Sequence, residues 1–174
     1  MSIIEEIQNY YPGCEQEEKD KELMLKFLAE NEDAFSRENK LAHMTASAWV
    51  LSPDGQKVVM CYHNIYKSWS WTGGHADGDT DLLAVAMREV EEETGVRDVY
   101  MEQLYTFSQP DRDPRMRVID IAYLALINES DVYAGDDAAD AAWFTFELDV
   151  SSERMVLENR DRRIRLEYSL KQKE

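Results

Sequence analysis

The spacing of hydrophobic residues at the start of this chain is helical. In the segment "EEKDKELMLKFLAENEDAF", residues Leu23, Phe27 and Leu28 fall on one face, with charged residues over the rest of the surface. A Pro-Gly pair upstream ends a shorter segment of similar character. We therefore predict an N-terminal helical extension over residues 1–40, packed on the domain that follows.

From residue 41 onward the pattern becomes typical of strands. We predict a hairpin from "HMTASAWVL", the turn "SPDGQ" and "KVVMCYH". One helix, two long strands and a short strand follow, in "DLLAVAMREVEEET", "VYMEQLYTF", "MRVIDIAYLALI" and "AWFTF". A last helix is expected through "SSERMVLENRDRRIRLEYSLK", with its arginines as a basic face. This order predicts an α/β or α+β domain over residues 41–174, with helices over a mixed sheet.

The charge of the chain limits its partners. It carries 36 Asp and Glu against 19 Lys and Arg, a formal net charge of -17. Such a surface repels nucleic acids and anionic membranes. Cys14 and Cys61 match no metal or redox spacing, and we find no signal peptide or membrane span. His43, His63 and His75 are too scattered for a zinc site. We expect a cytoplasmic protein.

The stretch "REVEEETG" places several acidic residues in the last turns of a predicted helix, near its C-terminus. At about 100° per residue, Glu89, Glu92 and Glu93 lie within an arc of roughly 100°, while Glu91 points nearly opposite. Carboxylates are disfavoured beside the negative end of the helix dipole. Arg88 neutralises part of this charge, and a divalent cation would neutralise the rest. Oxygen ligands favour Mg²⁺, Mn²⁺ or Ca²⁺ over zinc, and Mg²⁺ acts on phosphates.

Taken alone, "EVEEE" is more often a solvated helix end than a site, so its neighbours matter. Gly73 and Gly74 stand between a strand and this helix, where glycine permits close backbone approach to an anionic ligand. Asp79 or Thr80 can cap the helix start, and Gly95 ends it. The order strand, glycine loop, acidic helix favours a phosphate-binding site with metal.

These residues resemble the Nudix box, G-x5-E-x7-R-E-U-x-E-E-x-G-U with U aliphatic, read from Gly74 to Val96. The fixed positions match except at Thr80, where the family has its first glutamate. Counting from Gly73 instead puts Asp79 at that offset, so a one-residue shift in the loop would restore a carboxylate. In the family this acid braces the loop and its arginine. The resemblance covers about residues 41–148.

The resemblance implies a Nudix-type α/β/α sandwich with a mixed β-sheet, and a hydrolase. Such enzymes cleave a nucleoside diphosphate linked to another moiety, by attack of water on phosphorus. It implies metal ligands at Glu89, Glu92 and Glu93, with Mg²⁺ or Mn²⁺ as the cofactor, and Arg88 orienting the glutamates. The position of the general base does not transfer between family members. Its candidates are Glu89 and Glu93, or the acidic-loop residues Asp136, Asp137 and Asp140.

For the substrate, the loop "SQPDRDPR" concentrates positive charge in an acidic protein. Arg112 and Arg115, with Arg117 just after it, can bind phosphate oxygens in bidentate fashion. The loop resembles one in Nudix proteins related to ADP-ribose hydrolases, which favours ADP-ribose or a similar nucleotide sugar. An internally paired Asp-Arg turn is the alternative. Trp69 and Trp71 fit either base stacking or the core, and aromatic residues on a strand more often belong to the core.

Two other functions fit the same fold. One is a nucleotide-binding regulator without turnover, although little chain follows residue 150 to form a DNA-reading domain. The other is an isoprenoid diphosphate isomerase, which uses a catalytic cysteine, whereas Cys61 lies in no matching motif. The fold does not choose among them. A homodimer is compatible with the sequence.

Overall fold

The computed structural model describes residues 2–65, 67–108, 116–129, 132–135, 138–149, 151 and 154–169. Its elements are α1 (Ile3–Asn9), α2 (Glu15–Glu30), β1 (His43–Leu51), β2 (Lys57–His63), β3 (Ser68–Ser70), β4 (Thr72–His75), α3 (Leu82–Thr94), β5 (Met101–Phe107), β6 (Val118–Leu126), β7 (Ala138–Asp149), β8 (Arg154–Asn159) and β9 (Ile164–Ser169). None of the helices described is long and apolar enough to cross a membrane.

In the part of the chain that the structure describes, nine strands form one mixed sheet. Seven of them follow the order β5-β6-β1-β2-β7-β8-β9, and β3 and β4 lie off this path. β1 and β6 run parallel, and the other pairs are antiparallel. β1 meets β2 at Leu51 and Val58, next to the hairpin turn. Away from that turn, β4 pairs with β1 and β3 pairs with β2. The predicted hairpin and mixed sheet are confirmed.

The main core lies between one face of the sheet and the helices. Met44, Ala46, Ala48 and Val50 alternate along β1 and are buried in this cluster. They meet the inward face of α3, made by Leu82, Val85, Ala86 and Val90. This period-two alternation against a helical face is the pattern that the sequence shows, and it explains why these elements were predictable.

The N-terminal extension is helical, as predicted, and shares the core of the main domain. Leu28 and Ala34 are buried in the same cluster as α3. Leu23, which was expected on the packed face, is 61% exposed, and Met24 packs there instead. The reason is geometric, because Met24, Phe27 and Leu28 follow the i, i+3, i+4 spacing. The division of the chain at residue 40 stays a prediction.

The C-terminal helix predicted from residue 151 onward is wrong. Residues 154–169 form the hairpin β8–β9, which extends the sheet beyond β7. Met155 and Leu157, two residues apart on β8, are buried in a second hydrophobic cluster around Phe144 of β7. Ile164 and Leu166 of β9 pack against this cluster. Period-two burial defines these strands, and the arginines that suggested a basic helical face lie in and around the turn.

The strand predicted as "AWFTF" is also longer than expected. β7 begins at Ala138, inside the predicted acidic loop, because it pairs with β2 as far as His63. Ala138 and Ala141 are buried against Cys61 of β2. Long-range pairing, and not local composition, sets where this strand starts.

Candidate active site

Helix α3 carries the acidic residues, and its two ends are well defined. The side chain of Asp81 caps the start by accepting from the Ala84 N–H at 3.0 Å. The cap is therefore Asp81, and neither Asp79 nor Thr80 as predicted. Gly95 ends the helix in the left-handed conformation with φ 73°. The buried face of the helix continues from Val90 to Glu93, which brings a carboxylate into the core.

The three predicted metal ligands differ in environment. Glu92 is exposed, Glu89 is half-buried and Glu93 is only 3% exposed. A carboxylate buried to that degree beside a helix C-terminus must be compensated by donors or by a cation.

Glu93 receives two such contacts. The Gly73 N–H donates to its Oε2 at 3.1 Å, and His63 Nε2 lies 3.4 Å from its Oε1. The sequence pattern predicts a role for Gly73 but none for His63. Its position on β2, thirty residues before Glu93, gives no local signal.

Cys61 lies beside the same helix end. Its thiol donates to the Glu93 carbonyl oxygen at 3.7 Å. Burial raises the pKa of this thiol, and the neighbouring Glu93 carboxylate raises it further. The thiolate form is therefore disfavoured at this position.

The two glycines before the helix each make a close approach. A Cβ on Gly74 would overlap the carboxylate group of Glu89. A Cβ on Gly73, whose φ is 157°, would lie 2.7 Å from Ser47 Cβ and 2.9 Å from the Ala46 carbonyl oxygen. Glycine at residue 73 lets β4 pack against β1, and glycine at residue 74 leaves room for Glu89.

Arg88 pairs with Asp79 and not with residue 80. Its Nη1 lies 3.3 Å from Asp79 Oδ2, while Thr80 is exposed. The pKa of Asp79 is lowered, first by the Asp81 N–H that donates to its Oδ1 at 3.0 Å and then by Arg88. The carboxylate that braces the arginine thus stands one residue earlier than the Nudix pattern has it, as the count from Gly73 suggested.

A short segment before β7 docks on the C-terminal end of α3. The Tyr133 N–H donates to the Thr94 carbonyl at 3.0 Å, and the Gly135 N–H donates to the Glu93 carbonyl at 3.4 Å. These bonds satisfy helix carbonyls that have no partner within the helix. A Cβ on Gly135 would overlap the Glu92 carbonyl oxygen, so this contact requires glycine.

Several predicted residues lie outside this arrangement. Arg112 and Arg115, and the base candidates Asp136 and Asp137, are outside the described residues. Asp140 pairs with Arg162 of the β8–β9 turn. Arg117 is exposed and donates to the Ser108 carbonyl at 3.4 Å.

The two tryptophans behave as packing residues. The Trp69 ring centroid is 4.9 Å from that of Phe144, and the guanidinium carbon of Arg162 lies 5.7 Å from the Trp69 centroid. Trp71 stacks on Trp49 at 5.2 Å. Both tryptophans border the second cluster, in agreement with the core alternative.

The chemistry of the acidic residues fits a hard divalent cation. Glu89, Glu92 and Glu93 offer only oxygen donors on adjacent turns, with the backbone of Gly73 and Gly74 beside them. Within the described ranges, no three His, Cys, Asp or Glu side chains already converge to hold a metal. Glu93 in this conformation uses its oxygens for Gly73 and His63.

Comparison with known proteins gives one family. A family model described as the NUDIX domain matches residues 41–163. The chain is 36% identical over 72 residues to an ADP-ribose pyrophosphatase of Methanocaldococcus jannaschii, covering 41% of this chain and 43% of that protein. It is 39% identical over 62 residues to the ADPR responsive transcriptional repressor NtrR of Acinetobacter baylyi, covering 34% of this chain and 25% of that protein. The matches therefore span less than half the length of both relatives.

A solved structure is similar over nearly the whole chain. It is the MutT/nudix family protein from Enterococcus faecalis, with a TM-score of 0.65 and 29% identity. The similarity covers 92% of this chain and 66% of that one.

Proposed function

This chain belongs to the Nudix family, and on that premise we propose that it is a metal-dependent pyrophosphohydrolase. It would cleave a nucleoside diphosphate linked to another moiety. The observation that carries the proposal is the end of α3, where three glutamates on adjacent turns accompany an arginine braced by Asp79. Partly buried carboxylates with this spacing supply what a phosphate-bound cation requires.

Glu89, Glu92 and Glu93 would hold the metal, which we propose to be Mg²⁺ or Mn²⁺. When bound, it would neutralise charge on the pyrophosphate oxygens and activate a water for attack on phosphorus. Arg88 offsets the negative charge of the helix end and stays oriented through Asp79. Gly74 leaves room for the Glu89 carboxylate, and the Gly73 N–H donates to Glu93.

Of the two general-base candidates on the helix, Glu89 is supported better. Glu93 accepts from the Gly73 N–H at one oxygen and has His63 Nε2 beside the other, and these contacts hold the carboxylate in place, as a metal ligand requires. Glu89 lies at the solvent boundary beside Gly74, where it can take a proton from water. Asp140 is less suited, because it pairs with Arg162.

ADP-ribose or a similar nucleotide sugar is the proposed substrate class. Two relatives support this choice, since one is named for hydrolysis of ADP-ribose and the other for its response to ADPR. Arg112 and Arg115 would bind phosphate oxygens of the substrate. Gly73 and Gly74 would let the substrate approach the backbone.

A regulator that binds ADP-ribose without turnover is the second candidate. It is favoured by the similarity to the NtrR repressor. No observation favours the isomerase, and the buried Cys61 with its raised pKa is unsuited to catalysis.

We further propose a cytoplasmic location and no nucleic-acid or membrane partner. The net charge of -17 supports the absence of polyanion binding. The free cysteines Cys14 and Cys61 suit a reducing compartment. A homodimer is proposed without a defined interface, and light scattering would test it.

Product release from a panel of substrates tests the hydrolase. The panel comprises ADP-ribose, other nucleotide sugars, dinucleoside polyphosphates, NADH and nucleoside triphosphates, each with Mg²⁺, with Mn²⁺ and with chelator. Metal-dependent cleavage of ADP-ribose is the expected result. A rise in melting temperature with ADP-ribose but no turnover on any substrate would favour the regulator.

A further inference from the structure

The segment between α2 and β1 reaches the loop that precedes α3. Arg37 Nε donates to Asp77 Oδ1 at 2.7 Å, and Arg37 Nη2 pairs with Asp77 Oδ2. The Gly78 N–H donates to the Phe35 carbonyl at 3.0 Å. Two consecutive loop residues are thus held by a bidentate ion pair and a backbone bond from outside the NUDIX match, which begins at residue 41.

These two loop residues have an unusual backbone. Asp77 has φ 49° and Gly78 has φ 94°. A residue with a side chain seldom adopts positive φ unless its surroundings hold it there, although Asp and Asn tolerate it better than most. The contacts from Phe35 and Arg37 are such surroundings.

The segment that provides these contacts is itself fixed to the core. Ala34 is 1% exposed, and its carbonyl accepts from the Met44 N–H of β1 at 3.0 Å. Phe35 packs against the main core cluster. Arg37 therefore extends from a rigid support.

The next residue in the loop is Asp79, which braces Arg88. The position of Asp79 depends on the left-handed step at Asp77 and Gly78. The Asp79 N–H also donates to the Ala76 carbonyl at 2.9 Å, which closes a tight turn around that step. Asp77 thus lies two residues before the carboxylate that pairs with Arg88, within the same tight turn.

We propose that Arg37 is a positioning residue of the active site, and that the end of the N-terminal extension holds the loop in which Asp79 replaces the missing first glutamate. Arg37 acts through Asp77 on Asp79 and Arg88 and does not touch substrate. The inference rests on the proposed hydrolase for its kinetic test, but its structural test is independent of activity.

The exposure of the pair separates this role from general stabilisation. The side chains of Arg37 and Asp77 are 54% and 48% exposed. Ion pairs at that exposure contribute little to global stability. Loss of the pair is therefore expected to move the loop while the unfolding temperature hardly changes.

The test compares Arg37→Gln, Asp77→Asn and the double variant with the wild type. Asn is chosen at residue 77 because it tolerates positive φ. The matched control is Lys57→Gln, which breaks another surface pair, with Glu129, of similar exposure (36% and 47%). Three quantities are measured: kcat and KM on the best panel substrate, the unfolding temperature, and amide hydrogen exchange of residues 76–82.

We expect kcat to fall on the order of tenfold in each of the three loop variants, since a displaced orienting group costs rate and not fold. The double variant should be no worse than the single ones, because one pair is lost in all three. Exchange of residues 76–82 should accelerate in these variants and stay unchanged in the control. Unfolding temperatures should agree among all the proteins.

Unchanged kcat and unchanged exchange in Arg37→Gln would overturn the inference. Equal loss of kcat in the Lys57→Gln control would also overturn it, since the effect would then belong to any surface pair. If the wild type hydrolyses nothing on the panel, the proposed function fails, and the exchange of residues 76–82 still decides whether Arg37 holds the loop.

Discussion

Asp79 Oδ2 lies 3.3 Å from Arg88 Nη1, nine residues further along the chain. Asp79 stands one residue closer to Gly74 than the glutamate of the Nudix spacing. Thr80 therefore occupies the usual glutamate position by count, while Asp79 makes the contact with Arg88. We therefore interpret the departure from the family pattern as an offset of the carboxylate and not as its loss.

Replacement of Asp79 tests this offset. Asp79→Ala should lower kcat about tenfold through misorientation of Arg88. The effect on stability should be small, because the Asp79 side chain is 39% exposed and ion pairs at such exposure contribute little. Thr80→Glu added to that variant should not restore kcat, since residue 80 is exposed and the brace is made from residue 79. Steady-state kinetics of the three proteins provide the measurement, and full rescue by Thr80→Glu would contradict the assignment.

Replacement of the helix glutamates tests the metal site. Glu92→Gln and Glu93→Gln should each cost several kcal/mol of transition-state stabilisation, about 3 or more, because each removes a charged ligand without changing side-chain size. Glu92 is exposed, so its variant should retain wild-type stability.

The matched control for these variants is Glu91→Gln. Glu91 lies on the same helix but pairs with Arg97 at 2.8 Å, away from the metal side. Its activity should stay near that of the wild type. Titration with Mn²⁺ by electron paramagnetic resonance should show weaker binding in the Glu92 and Glu93 variants only. Undiminished turnover in both would remove the metal assignment.

The pH dependence of stability gives a second, independent test of the Arg37–Asp77 ion pair. Hydrogen bonding from Arg37 lowers the pKa of Asp77 below its usual range. A lowered folded-state pKa stabilises the native state above the unfolded pKa of about 4, and this contribution is lost as the pH falls through the folded pKa. Because both groups are about half exposed, the contribution should be less than about 1 kcal/mol.

Urea unfolding of the wild type and Asp77→Asn from about pH 3 to about pH 7 gives the measurement. The difference in free energy of unfolding should be constant above about pH 5 and should shrink below about pH 4. A difference that did not change over the acidic range would show that the charge of Asp77 has no part in it.

The sequence was sufficient where local spacing determines structure. The existence of β1 follows from its strand-like pattern before a turn, and α3 follows from an apolar face on a helix that ends at Gly95. The glutamates were identified for the same reason, because their angular spacing is a property of one helix.

The sequence did not predict the structure correctly where pairing between distant segments determines it. The segment "RMVLEN" is a strand because it pairs with β7, and "IRLEYS" is a strand because it pairs with "RMVLEN". The charged turn between them suggested a helix instead. His63 reaches Glu93 only through the position of β2, and Arg37 reaches Asp77 across 40 residues. The spacing of residues within one segment carries no information about such long-range contacts.

Replacement of the two glycines before α3 by alanine should have two different effects, one on activity alone and one on stability as well. In Gly74→Ala the new Cβ meets the end of the flexible Glu89 side chain, which can move. Stability should change by less than about 1 kcal/mol, whereas kcat should fall because Glu89 is displaced. In Gly73→Ala the Cβ meets Ser47 Cα at 2.8 Å and the Ala46 carbonyl, which are backbone atoms that cannot yield.

Gly73→Ala should therefore destabilise the fold by about 1–3 kcal/mol, the cost of overpacking, and lower activity as well. Gly13→Ala is the control, since its Cβ would lie 3.4 Å from a flexible Glu17 oxygen and far from the site. Thermal unfolding and kcat of the three variants distinguish the two effects. A stable, fully active Gly74→Ala enzyme would show that Glu89 does not need the space that Gly74 leaves, and its role in catalysis would have to be withdrawn.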